Sequence, residues 1–295
     1  MRTVEIQTPF GKDIAFTKLR GYEGLSQLYE YNIILTSKNP NLDGTQIIGQ
    51  TATVNIDTKS GNRPLNGLVT DFGYLSEDED EQGYHLYSCV MRPSMWYMDQ
   101  RYDSRVFVDK TIIDIMNIVI GEFGIPYNIK CQNSYRTYGH SIQYQETSFA
   151  YLNRLFEQEG IYYYFEHSAG SNTLVIVDDV ASHTPIQGKS TLPYHSIQTA
   201  PGTPDQAYID HWQQTDRLAT KTVNINDHNY QTAKTKLSAS GPTHNLGGMS
   251  TEHYDFYSNF KDSGEAQHYK EMRAQAYNAQ SKHIDAAGNT LTIAP

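Results

Sequence analysis

Eleven histidines, the pair Asp178-Asp179, two cysteines and the string Gly188-Lys189-Ser190 are the residues whose chemistry invites a catalytic or ligand-binding reading. Metal binding needs imidazoles that converge, as in HxH, HExxH or HxxxH, and no such spacing occurs. His167, His183 and His195 read as scattered through turns, so surface histidines are the expectation. Two carboxylates that cleave a glycosidic bond must flank it, whereas neighbouring side chains on a strand project to opposite faces. Asp178 and Asp179 therefore read as turn residues. A phosphate cradle ending in Gly-Lys-Ser needs a glycine at its opening, and that position holds His183. No GxSxG elbow is present for acyl transfer. Cys89 and Cys131 fit neither CxxC nor a metal-ligand spacing and read as reduced, buried thiols. The expectation is a protein that is not an enzyme and holds no metal or cofactor.

Whatever such residues do, the chain around them must fold. Its 295 residues suffice for about two domains of roughly 150 residues each. A hydrophobic content of 38% with 19% charged residues fits a packed core. Thirty-three acidic against 23 basic residues leave a formal charge of -10, which repels phosphate backbones and anionic lipid heads. Nucleic acid and membrane surfaces are thereby poor partners. No stretch approaches ~18 consecutive apolar residues, and the opening MRTVEIQTPFGK lacks the apolar run of a signal peptide, so folding in the cytoplasm is expected. Tyrosine is the outlier, with 23 residues against 10 Phe and 2 Trp. Its ring buries apolar area while its hydroxyl stays wet, which suits strand faces, subunit interfaces and sugar platforms alike.

The first ninety or so residues read as short strands. Leu28 and then Tyr29, Tyr31, Ile33 and Leu35 alternate with Glu30 and Asn32, a period of two with one buried face. Residues 14–19, 51–57, 65–75 and 84–91 are further strands, and the acidic run Ser76–Gln82 is a solvated hairpin tip. An antiparallel barrel or sandwich follows. From about Asp109 the period changes. Ile112, Ile115, Met116, Val119, Ile120 and Phe123 share a helical face, Thr111 and Asp114 have capping-box spacing, and Gly124 and Pro126 end the helix. A second helix covers 148–159, with Phe149, Leu152, Leu155 and Phe156 inward, Thr147 as cap and Gly160 as stop. Residues 161–165 and 173–177 pair as a hairpin around a turn at 168–172. Tyr163 must face away from Tyr162 and Tyr164, so both faces need cover, from core layers or from a partner subunit. Residues 181–205 read as a crossing segment, 208–212 and 220–228 as strands, and 238–250 as a loop. A last helix spans 263–280, capped by Asp262 and Glu265, with Ala266, Tyr269, Met272, Ala276 and Ala279 along one stripe.

Three stretches together carry a more specific signal: RYDSRVFVDKT from Arg101 to Thr111, YQETSFAYLNRLFEQEGIYYYFEH from Tyr144 to His167, and NTLVIVD from Asn172 to Asp178. With LRGYEGLSQLYEYNI from Leu19 and LDGTQIIGQTATV from Leu42, they resemble the VgrG family of type VI secretion tip proteins and its relatives, the late-control and baseplate-hub proteins of contractile phage tails. The resemblance runs from about Ile14 to Gln280. It implies an α+β fold, mainly β, with two tail-tube-like β-barrel domains: 1–108, an α/β insert at 109–180 with two helices and an aromatic hairpin, and 181–295. Positions carried over as structural motif are Arg101, Asp103, Ser104, Arg105, Phe107, Asp109, Lys110, Arg154, Glu157, Glu159 and Gly160, with Tyr162, Tyr163 and Tyr164 as candidate interface.

The resemblance further implies a structural hub of an injection machine. Its expected partners are copies of itself as a homotrimer, a hexameric tail-tube protein, and effectors or adaptors held by later needle and oligonucleotide-binding-type parts that this sequence lacks. A truncated member is the expectation. Assembly in the cytoplasm would precede translocation outside the cell at the machine's tip. A prophage tail hub shares the fold, and a cell-wall-binding or carbohydrate-active module is the rival of another class.

Overall fold

A computed structural model describes residues 4–58, 61–78, 83–184, 191–195, 207–229, 234–243, 249, 251–256 and 260–290. Two compact units emerge: residues 1–157, 161–189 and 292–295 in the first, 158–160 and 190–291 in the second. The strings at 79–82 and 188–190 lie outside the described residues.

In the first unit, β1 (Val4–Gln7), β2 (Ala15–Tyr22), β3 (Glu30–Ser37), β4 (Thr51–Thr58), β5 (Gly61–Glu77) and β6 (His85–Arg92) form one sheet in the order β1-β4-β5-β6-β3-β2. All its pairings are antiparallel, and the sheet curls until β1 and β2 approach each other. The alternation read in β3 holds. Tyr29, Tyr31, Ile33 and Leu35 are buried, while Glu30 faces outward and accepts at Oε2 from both Nη2 and Nε of Arg92, at 2.7 and 3.1 Å. The acidic tip starts where β5 and β6 part, with Glu77 opposite His85.

Next come β7 (Tyr102–Thr111), α1 (Ile112–Gly121), β8 (Tyr127–Ile129), β9 (Thr137–Thr147), α2 (Ser148–Glu159), β10 (Tyr162–Ser168) and β11 (Ser171–Val177). The Thr111–Asp114 capping box forms in both directions, and Ile112, Ile115, Met116, Val119 and Ile120 are all buried. Each such side chain contributes about 1.5–3 kcal/mol of burial free energy. In α2 the Thr147 hydroxyl accepts from the Ala150 N–H, and Gly160 takes the left-handed backbone (φ 73°) that ends the helix. Tyr151 joins Leu152, Leu155 and Phe156 in the core, while Phe149 is only partly covered. The hairpin turn is tighter than expected: β10 and β11 pair through to Ser168–Ser171, leaving Ala169 and Gly170 (φ 81°) to reverse the chain.

The second unit holds β12 (Ile209–Asp216), β13 (Thr222–Asp227), β14 (Leu237–Pro242), β15 (Glu252–Phe256), α3 (Ser263–Ser281) and β16 (Lys282–Gly288). Among the described residues, β12 pairs with β16, and β14-β13-β15 form a mixed sheet over a small core of Val223, Ile225, Leu237, Phe260, Ala266 and Tyr269. Two expectations are corrected here. The start of the expected 238–250 loop is strand β14, whose Leu237 is buried and Ala239 half-buried against β13 although its other residues are small and polar. On α3, Ala276 and Ala279 are exposed, and Ala274 and Ser281 are buried instead. The expected stripe advances thirteen residues in four steps, which is only about 3.6 helical turns, so it drifts off the packed face.

Where β10 meets the curled sheet, buried polar groups satisfy one another. Asn66 donates from its side chain to Ala52 O and Thr53 Oγ1 and accepts from Asn172 Nδ2 at 3.0 Å, and Tyr29 Oη donates to Asn66 O at 2.7 Å. His167 belongs to this node, which corrects its reading as a surface turn residue. It points inward from β10 with a side chain 8% exposed, because it shares the Tyr163 and Phe165 face. Its Nδ1 accepts from the Asn66 N–H at 3.1 Å, and Nε2 lies 3.2 Å from Tyr31 Oη, which donates to Glu23 at 2.6 Å.

Burial lowers the His167 pKa from the usual 6.5, against the pull of Glu23. The folded state then binds fewer protons than the unfolded one below that pH. The stability owed to neutral His167 is present above about pH 6.5 and is lost as pH falls through the depressed folded pKa. Urea midpoints should therefore fall between neutral and mildly acidic pH, and His167→Asn, which keeps an acceptor toward Asn66, should flatten that fall. An equally steep decline in the variant would exclude His167 as its source.

Candidate functional site

The motif strand β7 pairs with β9 as a two-stranded antiparallel ribbon, with Val106 opposite Ile142 and Phe107 opposite Ser141. Gln145 is an extra residue in β9 at the register shift beside Asp103 and Ser104, with a left-handed φ of 49°. The Ser104 hydroxyl accepts the N–H of Gln145 at 3.1 Å, and Asp103 accepts the N–H of Ser104. Asp109 is likewise left-handed, at φ 51°, a conformation short polar residues tolerate best. Asp109 and Lys110 are exposed.

Four motif positions meet in one cluster. Arg105 donates to Glu122 Oε1 at 2.6 Å through Nη1 and to Gln143 Oε1 at 3.0 Å through Nε, and lies over the Phe107 ring. Arg101 reaches Glu122 Oε2 at 3.0 Å and Asp103 at 3.2 Å, and lies over Phe123. Glu122 stands at the C-terminal end of α1, so this cluster fastens the helix to the ribbon. Phe107 stacks on Tyr151 of α2, with ring centroids 5.7 Å apart. Arg154 of α2 returns to β9, gripping Glu146 at 2.6 and 3.3 Å and donating to Ile142 O. Glu122, Gln143 and Tyr151 were not singled out in the sequence. The alternation of RYDSRVFVDKT was the available signal, since inward Arg105 demands a carboxylate from another element.

The remaining positions lie elsewhere. Glu157 is exposed on α2. Glu159 and Gly160 group with the second unit, where buried Glu159 accepts from Tyr269 Oη at 2.8 Å. Tyr163 is fully buried beside Phe156 and Phe165, and Tyr164 is nearly so. This corrects the partner-facing expectation for those two, because β10 is packed on both faces: Tyr163 on its inner face meets the core, and Tyr164 on its outer face lies beside its cross-strand neighbours Val175 and Val177 with the His183 ring stacked on it. Tyr162 is half-buried, with Oη 2.9 Å from His183 Nε2.

Asp178 and Asp179 do serve turns. Burial opposes ionisation of Asp178, but the N–H groups of Asn133 and Gln132 and the Tyr135 hydroxyl outweigh it and hold its carboxyl below the usual range. Asp179 caps the short 3-10 turn Val180–Ser182 through the Ala181 N–H. Cys89 is buried and Cys131 half-buried, both free thiols, and burial pushes Cys89 up to about 12. Among the described residues no three His, Cys, Asp or Glu side chains gather as a metal would require, and no helix is long and apolar enough to cross a membrane. A cleft of about 520 Å³ beside Lys12, Asp13, Thr36, Lys38 and Tyr84 has a single carboxylate in its lining, where glycoside hydrolysis asks for two.

The cluster around Arg105 is partly buried, so losing it costs more than an exposed ion pair does. Arg105→Ala should lower the unfolding free energy by about 2 kcal/mol, and the half-exposed Arg154→Ala by about 1 kcal/mol or less. Denaturant titration of both variants checks this, and equal losses would remove the distinction between them.

Residues 22–295 match the sequence profile of the family described as phage tail baseplate hub (GPD). The chain is 27% identical over 294 residues to the type VI secretion system spike protein VgrG1a of Pseudomonas aeruginosa, covering 97% of this chain and 44% of that protein. It is 24% identical over 292 residues to the spike protein VgrG3 of Vibrio cholerae, covering 91% of this chain and 27% of that one. The chain thus spans less than half the length of these relatives. Its fold is similar to that of the 43 kDa tail protein of prophage MuSo2 from Shewanella oneidensis, with a TM-score of 0.62 at 16% identity, over 96% of this chain and 81% of the other. The E. coli c3393 protein, a type VI secretion component, aligns with a TM-score of 0.58 at 18% identity over 73% of this chain and 56% of its own. With its mainly β fold and a profile match over nearly its whole length, the chain belongs to the phage tail baseplate hub family.

Proposed function

We propose that this chain is the structural hub at the tip of a type VI secretion machine, and that it works without catalysis. The observation that carries the reading is the hub-family match from residue 22 to 295, on a first unit built around a curled antiparallel sheet. In this reading 1–108 and 181–295 act as two tube-like regions flanking the 109–180 insert. Three chains then present six similar units, and that ring docks on a hexameric tail tube despite the mismatch in subunit number. Sheath contraction supplies the force, so this chain needs rigidity and complementary surfaces rather than reacting groups. Assembly in the cytoplasm precedes outward translocation, with effectors or adaptors as further partners.

A specific observation favours a second reading. The prophage MuSo2 tail protein is similar in fold over 96% of this chain, so a prophage tail hub fits as well. Light scattering with each kind of tube protein separates the two. The secretion hub predicts a species of about three times the 33.5 kDa chain that binds hexameric secretion tube. A preference for phage tube protein would favour the prophage hub, and a lone chain that binds neither would contradict both.

A further inference from the structure

The inward face of the β7–β9 ribbon is consumed by the Arg105 cluster and by α2, but its outward face is bare. Tyr102 is 73% exposed, Val106 54%, Val108 50%, Ile142 53% and Tyr144 68%. The register makes these side chains neighbours, with Val106 opposite Ile142, Val108 opposite His140 and Ser104 opposite Tyr144. A contiguous apolar face of this kind is what soluble chains ordinarily cover with another element or a partner.

We propose that this outward face is buried between copies of this chain; the proposal rests on the hub reading and names the surface through which its subunits meet. Area supports it. Two tyrosines and three branched aliphatic side chains, each at least half exposed, present on the order of 500 Å² of largely apolar surface. That is enough for the apolar centre of an interface burying about 800 Å² per partner. Charge favours a second copy as that occupant. Each copy carries a formal -10, so copies meet only where charge is balanced. The face itself bears His140 alone, and the charges flanking it at one end, Asp109 and Lys110, are opposite. A polyanionic or strongly basic partner would find nothing here to pair with.

The test uses this chain and two variants whose outward side chains leave the fold's own contacts intact. The unchanged chain should show a mass that climbs toward three copies with concentration. Ile142→Asp should weaken association at least 10-fold while the circular dichroism spectrum and the urea midpoint hold. Because a charge on a strand can also unsettle it, the thiol introduced by Tyr144→Cys gives a second readout, with the unchanged chain as blank for Cys131. Its maleimide labelling rate should fall as concentration rises. Full association by Ile142→Asp, or labelling that stays fast in the associated species, would overturn the proposal. Protection that arrives only with added tube protein would also overturn it, giving the face to the tube. If the unchanged chain neither self-associates nor binds tube protein, it is the hub reading itself that fails.

Discussion

Side chains on a strand must alternate between faces, and along β7 that rule divides one ten-residue segment between two jobs. Arg105 and Phe107 turn inward, where Glu122, Gln143 and Tyr151 receive them, so two helices are fastened to the ribbon through adjacent inward positions. Val106 and Val108 turn outward and stay about half exposed. A one-residue slip would exchange the sets, putting the Arg105 guanidinium outside and parting it from Glu122 and Gln143. Left-handed Gln145 makes the register shift at one end of this segment and left-handed Asp109 lies at the other, so the pairing from Ser104 to Val108 keeps a single register between them.

The second constraint is polar. Asn66, Asn172, Thr53 and His167 sit where a purely apolar design would place valine or leucine, and each finds partners across the joint between the curled sheet and the hairpin. Such a node adds little net stability over apolar packing, but it accepts one arrangement only, because a misplaced neighbour would leave a buried amide unpaired. The hairpin's orientation is thereby fixed, and with it the inward direction of Tyr163 and Phe165. In the proposed hub role, uniqueness of shape would serve function more directly than added stability.

Much of this was legible from the residues. The period-two pattern of β3, the capping box of α1 and the limits of α2 all rest on local rules, and local rules leave marks in one sequence; RYDSRVFVDKT was legible only through its family resemblance. What escaped reading is non-local. β14 is polar except for Leu237 and Ala239, so only pairing with β13 makes it a strand. His167 resembles any surface histidine until β10 is given its register. Tyr163 and Tyr164 could have faced a partner on sequence grounds, and the hairpin's packing on both faces decided otherwise. The apolar outer face of β7 was in plain view, but it became informative only when β9 put Ile142 and Tyr144 beside it.

The division of β7 is the claim on which the assembly reading stands, and alternate positions on the strand test it. Val106→Ser, Phe107→Ala and Val108→Ser would be compared for unfolding free energy and, in parallel, for self-association. The account predicts that Phe107→Ala costs about 3 kcal/mol or more of stability. The two outward changes should cost little stability and weaken association instead. Equal stability losses at all three positions, with association unchanged by the outward pair, would contradict it.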